Sequence, residues 1–253
     1  MTTFVNRCYR GVGEMEKDIP LEKRIIFALD VGERQEAEDW VKRLEPHLRF
    51  FKVGLQLFLA CGFGIVEWIL ERGSEVMLDL KLFDVPATVE RAIEQIRGRG
   101  ITFTTVHGND EILRAAVRAK GDVKVLAVTV LTSLDEADLR DLGFRCSAEE
   151  LVLSRARRAL QLGCDGVISS GLEVPLLRRE LGEAFYVVTP GIRPVANREV
   201  HDQKRVVGVK EAFLWGADHI VVGRPIRLSP DPEKTVVQML QEAEEALGER
   251  KTS

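Results

Sequence analysis

Charged residues interrupt this chain where an apolar strand would be expected. In Asp79-Leu80-Lys81-Leu82-Phe83-Asp84 a carboxylate and an ammonium stand two residues apart, a spacing that points both side chains to one face of a strand. Met77 and Leu78 place the pair at the strand's C-terminal end. Asp30 closes an earlier apolar run, and Lys52 lies near the end of the next. Taken singly, each residue fits a structural salt bridge. Together they gather two carboxylates and two ammonium groups, and desolvated ions are too costly to collect without a task. Such a set offers fixed charge around a reacting group and a proton from a lysine.

A second constellation has the chemistry of phosphate binding. Near the end of the chain, Val222-Gly223-Arg224-Pro225-Ile226 combines a glycine, which lets a backbone N–H approach closely, with an arginine able to form two bonds to phosphate oxygens. Its plain structural reading is a turn with a solvated arginine. Upstream, Thr189-Pro190-Gly191-Ile192-Arg193 opens a polar stretch carrying Asp202-Gln203-Lys204-Arg205. A polar loop with glycine at its root suits a lid over a phosphate.

Eight short apolar runs position these residues: 24–30, 49–54, 75–80, 101–107, 123–130, 166–169, 184–189 and 219–222. Their length and near-continuous apolarity predict strands buried on both faces of a parallel sheet. Helical stripes separate them. Ala37, Trp40, Val41, Leu44 and Leu48 form one; Val89, Ala92, Ile93 and Ile96 form another, started by Pro86. Further stripes run through residues 112–117, 151–160 and 236–247. Strict alternation predicts βαβ units, and eight of them predict a single-domain α/β fold, a (β/α)8 TIM barrel over residues 21–253. The first strand ends Asp30-Val31-Gly32, without the glycine fingerprint of a dinucleotide-binding sheet. Residues 131–148 and 191–207 are the longest loop candidates. Both follow strands, so both are expected on the C-terminal face, where barrel active sites lie.

Residues 1–20 are mixed in character and read as an N-terminal extension without fixed order, lacking the apolar core of a secretory signal. A net charge of −4 argues against nucleic acid as a partner. No apolar run is long enough to span a membrane. Cys8, Cys61, Cys146 and Cys164 form no C-x-x-C pair and read as reduced thiols, implying a cytoplasmic protein. The four histidines are scattered, so no metal site is expected.

These motifs together resemble the orotidine 5′-phosphate decarboxylase family. D-x-K-x-x-D followed by Val85-Pro86-Ala87-Thr88 resembles its signature. So do Lys52 in FKVG, VTVLTS at 128–133, TPGIR at 189–193, DQ-x-R at 202–205 and GRPI at 223–226, all in the family's order. The resemblance implies a barrel of the ribulose-phosphate-binding type and conversion of orotidine 5′-phosphate to UMP without a cofactor. It implies that Lys81 protonates the ring carbon as carbon dioxide leaves, with Asp79 beside the substrate carboxylate. It implies that Asp30 and Lys52 hold the ribose hydroxyls. It implies a homodimer, in which Asp84 and Thr88 enter the partner's site. Thr132 and Ser133 would contact the substrate, Ser133 at the pyrimidine amide edge, and Gln203, Gly223 and Arg224 would hold the phosphate, with Arg193 nearby. Two features depart from the family pattern: His107-Gly108-Asn109 after the fourth strand, and one extra residue between Arg193 and Gln203.

Two rivals follow from the same residues. One is a magnesium-dependent decarboxylase resembling 3-keto-L-gulonate 6-phosphate decarboxylase, in which an acidic residue would replace Lys52. The other is a noncatalytic barrel that binds a phosphorylated ligand.

Overall fold

All eight apolar runs are strands in the computed structural model, which describes residues 17–193 and 207–252. They are β1 (Ile25–Ala28), β2 (Phe50–Gly54), β3 (Glu75–Leu82), β4 (Phe103–Val106), β5 (Lys124–Val128), β6 (Gly166–Ile168), β7 (Tyr186–Thr189) and β8 (His219–Val222). All pair in parallel and in chain order, and β8 returns to β1, closing the barrel. The fold is therefore the (β/α)8 barrel expected from the alternation of elements.

The five helical stripes correspond to α1 (Arg34–Leu44), α4 (Pro86–Ile96), α5 (Asp110–Ala119), α7 (Ala148–Gln161) and α11 (Pro232–Thr252). Among the described residues, six more helices lie outside those stripes. These are α2 (Leu55–Cys61), α3 (Phe63–Glu71), α6 (Glu136–Asp141), α8 (Val174–Leu181), α9 (Val209–Leu214) and α10 (Arg224–Arg227). The first two are apolar almost all round, which hides a 3.6-residue period. Only Leu57 of α2 is buried, while Leu55 and Leu59 face outward. The 131–148 segment, expected as one long loop, contains α6, capped by Asp135 through a capping box.

Alternation along the strands sorts their side chains into two shells. Outward residues such as Phe27, Phe51, Val53, Val76 and Leu78 pack under the helices. Inward residues fill the barrel: Ile26, Phe50, Met77, Phe103, Leu126, Ile168 and Val188. The lower layer is aromatic. Phe50 and Phe103 stack at 5.4 Å between ring centroids, and His219 meets both edge-on at 5.5 and 5.3 Å. Two residues further along the same strands come Lys52 after Phe50, Asp79 after Met77 and Thr105 after Phe103. The ionic layer thus stands on an aromatic floor.

Below the floor, Asp218 accepts hydrogen bonds from Arg178, Lys17 and the Val187 N–H, at 2.8, 2.7 and 2.8 Å. Burial alone would raise its pKa, but Arg178 and Lys17 outweigh it and hold the carboxyl below its usual range. Lys17 also donates to the Phe185 carbonyl. Residues 17–20, assigned by sequence to the extension, therefore begin with a side chain fixed to the barrel.

His219 is fully enclosed, and its Nδ1 lies 2.8 Å from the Lys23 carbonyl, so Nδ1 carries the proton. Burial depresses its pKa from 6.5 to about 4. The unfolded chain therefore takes up a proton at a higher pH than the folded one. This contribution to stability is complete above about pH 6.5 and is lost as pH falls towards 4. His219→Phe should flatten the pH dependence of the urea midpoint across that window. An unchanged slope would contradict the assignment.

Candidate active site

The C-terminal mouth of the barrel holds a cavity of about 710 Å³. Its walls include Asp30, Lys52, Asp79, Lys81, Thr132, Ser133, Arg193, Gly223 and Arg224. The loop starts after β5 and β7 line it too, as expected of segments following strands.

The four charged residues form one chain of alternating sign. Lys52 Nζ donates to Asp30 Oδ1 at 2.9 Å and lies 3.7 Å from Asp79 Oδ2. Lys81 Nζ reaches both Asp79 oxygens, at 2.9 and 2.8 Å. Asp79 is 8% exposed. Burial by itself pushes its pKa up, but Lys52 and Lys81, with a hydrogen bond from Thr105, reverse the sign and hold the carboxyl low. Asp79 is thus a fixed negative charge between two ammonium groups. Asp30, at the open end of the chain, has a half-exposed side chain.

The strand that brings Lys81 to Asp79 is not regular. Lys81 has φ +47, the one positive φ outside glycine among the described residues. The β3–β4 register shifts between Leu78 and Leu82. A left-handed lysine costs on the order of 1–3 kcal/mol and persists only where its surroundings over-determine it. The two-residue spacing predicts the proximity of the two side chains; the bulge beside them has no signal in the sequence.

Thr105 was missed altogether. It is fully buried on β4, accepts the Lys81 backbone N–H at 2.9 Å and donates to Asp79 Oδ1 at 2.8 Å. Its only sequence signal is its position two residues after inward-facing Phe103. The departure at His107-Gly108-Asn109 also has a local cause. Asn109 caps α5 by accepting the Ile112 N–H, and Gly108 adopts φ +139, where a Cβ would lie 2.7 Å from the Ile112 side chain.

Other predicted residues are not brought to this cluster. Asp84 is exposed, and its carboxylate accepts the neighbouring Val85 N–H. Thr88 is exposed on α4. Neither lines the cavity of its own chain. Gln203, with Asp202, Lys204 and Arg205, lies outside the described residues.

Around the rim the order is β8, β1, β2, β3. A Cβ at Gly223 would lie 3.3 Å from Asp30 Oδ2. The phosphate-type residues therefore border the ionic chain at its Asp30 end. Thr132 and Ser133, after β5, belong to the far wall.

A family model described as Orotidine 5'-phosphate decarboxylase / HUMPS family matches residues 23–239. The chain belongs to this family. It is 58% identical to an orotidine 5'-phosphate decarboxylase of Methylococcus capsulatus, over 86% of this chain and 90% of that protein. It is 42% identical to one of Nitrobacter winogradskyi, over 93% and 98%. The crystal structure of orotidine 5'-phosphate decarboxylase from Lactobacillus acidophilus superposes with a TM-score of 0.77 at 36% identity, over 87% of this chain and 99% of that one. Among the described residues no helix is long and apolar enough to cross a membrane.

Gly54 gives the geometry of this family member a direct test. A Cβ there would lie 2.9 Å from Lys52 Nζ and 3.6 Å from Asp30 Oδ1, while its φ of −95° suits any residue. Gly54→Ala should therefore fold normally and displace only the ammonium. A crystal structure of the variant should show Lys52 Nζ more than about 3.5 Å from Asp30; an unmoved ammonium would contradict the packing described.

Proposed function

We propose that this chain converts orotidine 5′-phosphate to UMP and carbon dioxide, the last step of de novo UMP synthesis, using fixed charge and no cofactor. The observation that carries this reading is the Asp30–Lys52–Asp79–Lys81 chain, bordered at one end by Gly223 and Arg224.

The rim order suggests how the substrate lies. Its phosphate sits against the Gly223 N–H, Arg224 and Arg193, with Gln203 assigned there on the resemblance alone. Its ribose hydroxyls meet Asp30 and Lys52. The base then extends towards Lys81, with Thr132 and Ser133 at its amide edge. The carbon–carboxylate bond breaks heterolytically. Carbon dioxide leaves, the electron pair stays on the ring carbon, and the Lys81 ammonium donates the proton that replaces it. Lys81 recovers its proton from water after product release.

The barrier is largely electrostatic, because the ring offers the developing carbanion little resonance. Lys81 places positive charge where negative charge appears, and Asp79 keeps that ammonium in place. One ion pair is not enough: two unit charges 4 Å apart give about 4 kcal/mol at an effective dielectric of 20. The remainder must come from phosphate and ribose binding, which order and dry the site.

The magnesium-dependent rival needs a divalent cation between the carboxylates. Here the Lys52 ammonium occupies that place, 2.9 Å from Asp30 and 3.7 Å from Asp79. Loss of orotidylate absorbance in excess chelator, at the rate seen without it, supports the decarboxylase reading. No turnover, or turnover only with added magnesium, rejects it.

We assign the active form as a cytoplasmic homodimer in which Asp84 and Thr88 enter the partner's site. Their exposure and absence from their own cavity support this, as do Phe83 and Val85, which flank Asp84 and are 69% and 62% exposed. In the cytoplasm Cys61, Cys146 and Cys164 stay as thiols.

Lys81→Ala should lower kcat by at least about 10³-fold while leaving a folded dimer, since it removes both the proton and the charge. Near-native turnover would refute its role. Inactive Asp84→Ala and Lys81→Ala chains, mixed under conditions of proven subunit exchange, should regain activity. One of the two sites in each mixed dimer is then intact. Exchange without recovery would overturn the assignment in trans.

A further inference from the structure

Two irregularities of β3, the left-handed Lys81 and the register shift beside it, share one neighbour. The end of β4 contacts the bulge at three points. Thr105 Oγ1 accepts the Lys81 N–H, the His107 N–H donates to the Leu82 carbonyl at 3.0 Å, and the His107 ring meets Phe83 at 5.4 Å. Thr105 does more than fasten the backbone. The Lys81 amide can only donate, so the single Thr105 proton is free for Asp79 Oδ1, 2.8 Å away. The hydroxyl therefore has one orientation. It is fully buried and does not line the cavity.

We propose that Thr105 is a positioning residue for the decarboxylation. Its hydroxyl couples the backbone turn at Lys81 to the Asp79 carboxylate and so delivers the ammonium to the reacting carbon in one orientation. This rests on the decarboxylase reading of the site. An apolar side chain of the same shape would leave the part-buried Lys81 N–H without its Thr105 partner and Asp79 with one donor fewer. Both losses loosen the same ion pair. The groups that face Asp79 are Lys52 from β2, Lys81 on its own strand and Thr105 from β4. Asp30 lies beyond Lys52, and His107 near Lys81. Of these, only Thr105 acts on both Asp79 and the Lys81 backbone.

Three variants separate the hydroxyl from the shape of the side chain. Thr105→Ser keeps the hydroxyl, Thr105→Ala differs from it by that group alone, and Thr105→Val keeps the original shape. The Ser variant should retain kcat within a few-fold. Ala and Val should lose about tenfold or more, the scale of one hydrogen bond to a charged group. KM and the UMP dissociation constant should stay within a few-fold of the parent in all three. The acid limb of kcat should move to higher pH in Ala and Val but not in Ser, because Asp79 loses a donor that favours its charged form. Equal kcat in Ser, Ala and Val would overturn the proposal, as would losses confined to KM with an unmoved pH profile.

A readout independent of turnover keeps this separate from the decarboxylase reading. The carbon-13 signal of the Asp79 carboxyl, assigned with Asp79→Asn, should titrate at higher pH in Thr105→Val than in Thr105→Ser. Coincident titrations would refute the coupling even in an active enzyme. A parent protein inert towards orotidylate would refute the decarboxylase reading instead.

Discussion

The site depends on one buried carboxylate. Asp79 lies almost wholly buried in the barrel mouth, and burial by itself would push its pKa up. It stays ionised because Lys52 and Lys81 face it from two sides and Thr105 donates to it. The dependence is mutual. With Asp79 charged, two ammonium groups can stand near each other; with it neutral they would repel across a low-dielectric space. Asp30 completes the set from the half-exposed end. The charges balance before substrate arrives, so binding need not reorganise them, which is the condition for electrostatic preorganisation.

Barrel closure meets that demand. Adjacent parallel strands put inward side chains in register, and residues two apart on one strand occupy successive layers. The aromatic layer of Phe50, Phe103 and His219 gives the ions a stiff, dry base. The strain of a left-handed Lys81 is confined to the strand that also carries Asp79. The Asp218 cluster lies at the opposite end, below the floor, and ties β8 to Arg178 and Lys17.

Much of this was legible in the chain. Each strand announced itself as a short apolar, β-branched run, because burial on both faces leaves little room for anything else. The ionic residues were legible for the opposite reason, as charges in places that should be apolar. α2 and α3 were not legible, since helices apolar on nearly every side have no stripe. The Lys81 turn was hidden because the group that its N–H bonds is remote: a hydroxyl on β4, twenty-four residues along the chain. Thr105 itself is an ordinary strand residue until Asp79 is placed beside it. Asp84 and Thr88 are exposed and line no cavity of their own chain, so the packing of one chain gives them no role.

If the site is built for a developing carbanion, it should prefer that charge to the neutral product. The most direct measurement compares the dissociation constant of UMP with that of a uridylate carrying an anionic oxygen on the ring carbon that loses carbon dioxide. The anionic ligand should bind at least about 10²-fold more tightly, as expected for a transition-state mimic. Equal affinity for the two ligands would contradict it.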